Sequence, residues 1–223
     1  MPALVQHFTP LATGYGGATP LTIAYSGVTP GNGIMVMALE LGVGVTFGAC
    51  TDGTNSYVNK LNFLPGSAAG TTATWLALNI TTTSGTISVT FTGGPGGNMY
   101  LFAWEVSNVT DYDAGNADAN YTSGPADAGG FTLTHTNDLV ILVLIGHHTQ
   151  TFSDPVGYTI IDNLNDSYWY RSYQKAVTGG GAQTPTSTMV GGPANWLMAG
   201  GGIYGSASSS NGNPIDGIFF GMT

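Results

Sequence analysis

Short runs of β-branched and aromatic residues, each followed by Gly, Pro, Asn or Asp, recur along most of the chain. Such runs are typical of strands separated by turns, and no window of about 12 residues shows apolar side chains at helical spacing. In TISVTF, the apolar Ile87, Val89 and Phe91 alternate with hydroxyl side chains, as in a strand with one buried face. We predict strands near residues 20–27, 33–41, 44–50, 56–63, 72–80, 85–92, 99–107, 131–136, 138–146, 158–163, 167–177, 185–190 and 196–204.

The segment Leu139–Ile145 is apolar at every position. We expect such a segment to form a central strand whose sheet is covered on both faces. About a dozen strands at intervals of roughly 8–12 residues favour a sandwich or jelly roll. The predicted fold class is therefore all-β, an antiparallel two-sheet sandwich of jelly-roll type.

The chain also contains a weak internal repeat. The run NGIMVMALEL begins at Asn32, and the similar run NDLVILVLIG begins 105 residues later, at Asn137. We interpret the repeat as two duplicated halves, about 20–109 and 131–205, that together form a single sandwich domain over 20–205. Glycine-rich hairpins that merely look alike are the alternative explanation.

Three segments differ from the strands in composition. Residues 1–19 are mixed and glycine-rich, and we predict an N-terminal arm there. Residues 110–130 are predicted to form a long loop that joins the halves. Residues 206–223 combine a Ser/Asn/Gly spacer with an apolar peptide, which we expect to dock on a partner rather than remain in water. The predicted assembly interface of this docking peptide consists of Ile215, Ile218, Phe219, Phe220 and Met222.

The charge balance excludes several classes of partner. The chain has 3 Lys and Arg against 12 Asp and Glu, a formal net charge of −9. Three basic side chains cannot neutralise a run of phosphates or an anionic bilayer, so we expect neither nucleic acid nor membrane as a partner. The start MPALVQH has no basic region followed by an apolar segment, so no signal peptide is expected. Cys50 is the single cysteine and is predicted to be a buried, inert thiol.

No catalytic motif emerges from the sequence: neither a nucleophile elbow, a P-loop, a zinc-protease helix nor a dinucleotide loop is found. Glu40 and Glu105 are the only glutamates, and each lies in an apolar strand, where we expect it to face solvent. We predict no enzymatic activity and no cofactor. The alternative is a polysaccharide-degrading enzyme that uses Glu105 or the aspartates of 110–130, because such enzymes need two carboxylates roughly 5–10 Å apart.

One candidate metal site lies in the predicted loop 110–130. Asp111, Asp113 and Asp118 alternate there with other oxygen-bearing side chains. Ca²⁺ prefers 6–8 oxygen ligands, so these aspartates are a candidate calcium site. A solvated acidic turn is the simpler explanation of the same residues.

One candidate glycan site lies in the strand SYWYRSYQK. Trp169, Tyr170 and Arg171, together with Tyr121 of the predicted loop, could stack on and hydrogen-bond a sugar. The alternative is a sheet strand whose aromatic rings fill the core while its basic side chains lie at the surface.

The whole chain resembles the small β-sandwich virion proteins of tailed bacteriophages, namely capsid decoration, head-fibre and tail-associated proteins. The residues that carry the resemblance are the start MPALVQH, the Gly/Thr-rich strand GTISVTFTGG and the C-terminal IDGIFFGMT. The resemblance implies a non-enzymatic structural protein, made in the host cytoplasm and located on the virion surface. Its expected partners are copies of itself, for instance in a trimer, and other virion proteins such as the major capsid protein.

Two other functions fit the same sequence. One is a carbohydrate-binding adhesion module of the tail-fibre or lectin type, which requires accessible aromatic rings. The other is a self-assembling extracellular filament subunit, which requires an export route.

Overall fold

The computed structural model describes residues 1–13, 19–42, 44–64, 70–94, 96–122, 125–146, 151–165, 169–190 and 194–205. The regular elements in these ranges are antiparallel strands, which confirms the all-β prediction. A search of the same ranges for a helix long and apolar enough to cross a membrane finds none. The strands are β1 (Ala3–His7), β2 (Leu11–Thr13), β3 (Leu21–Ser26), β4 (Gly33–Leu41), β5 (Thr46–Thr51), β6 (Tyr57–Phe63), β7 (Thr71–Ala77), β8 (Ser84–Thr92), β9 (Asn98–Ser107), β10 (Asp111–Thr122), β11 (Ala126–Asp127), β12 (Phe131–Leu133), β13 (Asn137–Gly146), β14 (Thr151–Phe152), β15 (Thr159–Asn165), β16 (Trp169–Thr178), β17 (Gly181–Gln183), β18 (Thr186–Ser187), β19 (Met189–Val190) and β20 (Ala194–Tyr204).

The first half of the chain forms a larger and a smaller sheet. The larger sheet has the order β1-β9-β4-β7-β6, and β2 also pairs with β9. The smaller sheet has the order β3-β8-β5. Every residue of β4 is buried, because this strand is central in its sheet and other layers cover both of its faces.

The second half has the same order of strand pairing. Its larger sheet runs β10-β20-β13-β16-β15, so that β10 takes the place of β1 and β13 that of β4. Three short pairs, β11 with β18, β12 with β17 and β14 with β19, take the place of the smaller sheet. Both halves also have a register shift at the same point of the outermost strand, at Lys60 in β6 and at Ile161 in β15.

Apolar side chains hold the sheets together in layers. The two larger sheets pack face to face through a central cluster that includes Met35 and Met37 of β4 and Ile141 and Val143 of β13. The other face of β4 packs against the smaller sheet, and the other face of β13 packs against the short strand pairs. The segment Leu139–Ile145 is thus covered on both faces, as the sequence predicts.

Two predictions about the segments between strands are wrong. Residues 1–19 are not simply an arm, because β1 and β2 both pair with β9 and extend the larger sheet of the first half. Residues 110–130 are not simply a loop, because β10 pairs with β20 from Asp111 to Thr122, with a register shift between Tyr112 and Gly115.

Small side chains explain why β10 is a strand despite its polar composition. Ala117 and Ala119 alternate with polar residues and are buried in the central cluster. A Cβ at Gly115 would lie 2.5 Å from the backbone oxygen of Gly200 on the partner strand, so glycine allows this close approach. Side-chain size, rather than strand propensity, therefore determines this pairing.

The strand pairing also changes the alignment of the two halves by one residue. Met35 and Ile141 both face the central cluster, whereas Val140 faces an outer cluster. The sequence offset of 105 residues matches Met35 with Val140 and so exchanges the two faces of the strand. The structural offset is therefore one residue longer.

Loss of a side chain from the central cluster should destabilise both halves. We expect Ile141→Ala to lower the free energy of unfolding by about 2–5 kcal/mol, because the surrounding sheets cannot close the cavity. Val58→Ala is the matched control, since Val58 is 51% exposed on an outermost strand, and its effect should stay within about 0.5 kcal/mol. Urea unfolding followed by circular dichroism measures the free energy of unfolding of both variants. Equal losses in the two variants would contradict a central layer that the two halves share.

Candidate functional site

Glu105 is a buried carboxylate that holds two neighbouring segments to β9. Its oxygens accept hydrogen bonds from the side-chain amides of Gln6 and Asn32 and from the backbone N–H of Thr29, the last at 2.9 Å. Burial opposes ionisation, but the hydrogen bonds from Thr29, Gln6 and Asn32 outweigh it and lower the pKa of Glu105. Glu105 therefore fastens β1 and the turn before β4 to the sheet.

Glu40 has a similar role at the other end of β4. It is buried and accepts hydrogen bonds from the backbone N–H of Gly96 at 2.6 Å and of Val45 at 3.3 Å. The expectation that both glutamates face solvent is therefore wrong, because backbone and side-chain donors satisfy each of them inside the protein. Glu105 lies opposite Ile34, six positions from Glu40, so roughly 20 Å of strand separates the two carboxylates. This distance exceeds the separation of a glycosidase pair.

The predicted glycan residues are packed into the core. Trp169 is 1% exposed and contacts Phe152, and Tyr170 is 7% exposed and stands edge-on to Phe102 at 5.1 Å. The guanidinium of Arg171 binds Asp154 at 2.7 Å. Neither ring has a face available to a sugar, so these observations favour core packing. The side chain of Tyr121 lies outside the described residues.

The three aspartates of the candidate calcium site do not converge. Asp111 forms an ion pair with Lys60 of β6 at 2.6 Å; burial opposes the ionisation of Asp111, and Lys60 outweighs it, so the pKa is lowered. Asp118 accepts a hydrogen bond from the next residue's backbone N–H and lies five positions from Asp113, roughly 17 Å along the strand. Because this segment is a strand rather than a loop, its carboxylates are held apart.

Asp113 instead meets two residues from outside its own strand. The ligand atoms of Asp113, His135 and Asp138 all lie within 4.8 Å of one another. Asp113 belongs to β10, His135 to the turn after β12, and Asp138 to the start of β13. The Asp113 and Asp138 side chains are buried, whereas the His135 side chain is 42% exposed. The cluster therefore combines two buried carboxyl groups with an imidazole at the surface.

The two carboxyl groups of this cluster differ in their environment. Burial, followed by the neighbouring charge of Asp113, raises the pKa of Asp138 to about 6, and His135 partly opposes this shift. Burial also opposes ionisation of Asp113, but hydrogen bonds from Thr134 and His135 outweigh it and lower the Asp113 pKa. Such a pair can share one proton or, together with the imidazole, bind a cation.

Sequence reasoning found Asp113 but missed His135 and Asp138. The available signal is the spacing of His and Asp at the two ends of the turn HTND, directly before the apolar strand β13. Cys50 is a free, buried thiol as predicted, and burial raises its pKa. The predicted assembly residues Ile215, Ile218, Phe219, Phe220 and Met222 lie outside the described residues.

Removal of the Glu105 charge should destabilise the protein in a pH-dependent way. We expect Glu105→Gln to lower the free energy of unfolding by about 2 kcal/mol at pH 7, because hydrogen bonds to an ionised acceptor are lost. The native pKa of Glu105 is lowered, so its stabilisation is complete above the unfolded-state pKa of about 4.3 and is lost as the pH falls through the native value. Urea unfolding at several pH values should show the difference shrinking towards acid pH, whereas the control Asp118→Asn should show little effect at any pH. A pH-independent difference would contradict the ionised state of Glu105.

Comparison of the chain with protein families, with characterised proteins and with solved structures gives no match.

Proposed function

We propose that the protein is a non-enzymatic structural component of a phage virion, which decorates the particle surface as a homo-oligomer attached through its terminal segments. The observation that supports this proposal is that the basic side chains form their contacts within the protein. Lys60 binds Asp111, Arg171 binds Asp154, and Lys175 donates to Gln183 and lies over a tyrosine ring. All three basic residues of the chain are thereby engaged within the protein.

A surface of this kind suits contact with other proteins. Charged residues make up 7% of the chain, and the basic ones already contact groups within the protein. Burying a surface with few charges requires little charge desolvation, which is the main electrostatic cost of close association. Copies of the chain, and capsid proteins beneath them, can therefore pack closely against it. The location on a phage particle rests on the resemblance of the sequence to virion proteins.

The strand order supports a more specific fold assignment, a duplicated jelly roll. We leave out β2 and number the other strands of the first half from 1 to 8. The larger sheet then begins with the order 1-8-3-6, and the smaller sheet has the order 2-7-4. These are the strand orders of a jelly roll. The fifth strand, β6, departs from the pattern because it pairs with β7. The second half follows the same order with β10 as its first strand. Jelly rolls are frequent in capsid and lectin domains, which agrees with the proposed role.

The two ends of the described chain support attachment from a single side. A Cβ on Gly205 would lie 3.1 Å from the Cδ of Pro2, and the N–H of Gly205 donates to Asn137. Gly205, the last residue that the structure describes, therefore lies beside Pro2 at the start of the chain. We propose that the apolar side chains of residues 206–223, from Ile215 to Met222, form the assembly interface.

The oligomeric state tests this proposal. Light scattering on the full chain should give a stable oligomer, and removal of residues 206–223 should give a monomer with an unchanged circular dichroism spectrum. Phe219→Ser combined with Phe220→Ser is the matched variant, since it keeps the length of the tail and removes its largest apolar groups. A monomeric full chain, or an oligomer that survives both changes, would contradict the role of the tail.

A further inference from the structure

We propose that Asp113, His135 and Asp138 form a binding site for one divalent cation of the zinc type, which joins β10 to the start of β13. The site is independent of the assembly role proposed above. Four observations support it: an unpartnered buried carboxylate, fixed ligand side chains, the spacing of the ligand atoms, and a contrast with the first half of the chain.

Asp138 is buried, and the neighbouring His135 only partly offsets the cost of its charge. The exposed fraction of Asp138 is 0%, and neither carboxylate oxygen has a hydrogen-bond partner among the described residues. Asp113 adds a second carboxylate within 4.8 Å of the first. The lysine and arginine side chains are engaged elsewhere. Buried carboxylates are normally paired or bind a metal, so a cation is the group that this arrangement lacks.

The other two side chains are held in place by contacts with neighbouring residues. One oxygen of Asp113 accepts hydrogen bonds from the backbone N–H groups of Thr134 at 2.7 Å and of His135 at 3.1 Å. The other accepts the Thr134 hydroxyl at 2.7 Å. The imidazole of His135 stacks on Tyr204, with 3.5 Å between the ring centroids and 1° between the planes. Ligands fixed in this way lose little entropy when a metal binds.

The spacing and chemistry of the ligand atoms favour zinc over calcium. Nδ1 of His135 lies 3.3 Å from the nearest oxygen of Asp113. Two ligands at about 2.0 Å from a tetrahedral metal are separated by about 3.3 Å, so this distance fits a zinc centre. Ca²⁺ prefers oxygen ligands alone, whereas an imidazole with two carboxylates suits Zn²⁺ or a similar transition-metal ion. Three protein ligands leave the fourth position open to water.

In the first half of the chain, hydrogen bonds stabilise a buried carboxylate at the equivalent end of the sheet. Strand pairing matches Ile34 and Glu105 with Val140 and Gly202, and so places Asp138 where the first half has Asn32. Asn32 donates to the buried Glu105 carboxylate, which is fully satisfied by N–H donors. In the second half the glutamate is replaced by glycine, and the buried carboxylate has moved to the neighbouring strand, where no such donor reaches it. A cation there would take the place of these donors.

Zinc binding to the full-length, tag-free protein tests the proposal. After treatment with a chelator and its removal, titration calorimetry with ZnCl₂ should show one site per chain. Zinc should also raise the midpoint of thermal unfolding, because a ligand that binds only the native state stabilises it. CaCl₂ at the same concentration should give a markedly smaller shift.

Variants assign the binding to these residues. Asp138→Asn and His135→Ala should each weaken zinc binding at least about tenfold. Both variants should fold, since the first removes an unpartnered charge and the second truncates an exposed ring, and unfolding without metal checks this. His7→Ala is the matched control, because His7 is another half-exposed histidine beside an aspartate, Asp162, and it should bind zinc as the wild type does. Zinc binding that is absent, or that survives Asp138→Asn, or that is lost in His7→Ala, would overturn the proposal.

Discussion

The structure depends on two strands that water cannot reach from either side. β4 and β13 lie in the middle of their sheets, and each presents one face to the central cluster and the other to an outer layer. A strand in this position needs apolar side chains on both faces over most of its length, so it lacks the usual alternation of apolar and polar residues. The buried carboxyl groups, Glu40 in β4 and Asp138 in β13, lie near the strand ends. Because the two strands face each other across the central cluster, neither half of the chain can form its complete core alone.

Several ionisable side chains of the described residues connect strands and turns within this apolar framework. Glu105 and Glu40 tie turns to the ends of β4 and β9, whereas Lys60 with Asp111 and His7 with Asp162 link the outer strands of one larger sheet to those of the other. The two links occupy opposite edges of the central pair of sheets. This arrangement follows from the matching strand order of the halves. The first edge strand of each half, β1 or β10, lies beside the last edge strand of the other half, β15 or β6.

The sequence predicts the fold best where a strand is long and apolar. The bounds of β4 are predicted to the residue, and those of β8, β9 and β13 to within one, because each run is closed by polar or glycine residues. β10 is missed because alanines, which are poor strand formers, fill its inner face, although their alternation with Asp and Asn from Ala117 to Asn120 carries a period of two. The cluster of Asp113, His135 and Asp138 is missed for a related reason. Its members meet only once β10 is known to be a strand next to β20, a long-range pairing that local patterns do not specify.

The contact between Pro2 and Gly205 has a geometric consequence for the whole molecule. The two ends of the described body lie side by side, so a segment joined to either of them emerges from the same place. With residues 206–223 removed, a short linker between Pro2 and Gly205 could also close the backbone into a ring. New ends could then be opened in the turn from Asp52 to Asn55, which lies between β5 and β6, without removing a strand from any sheet.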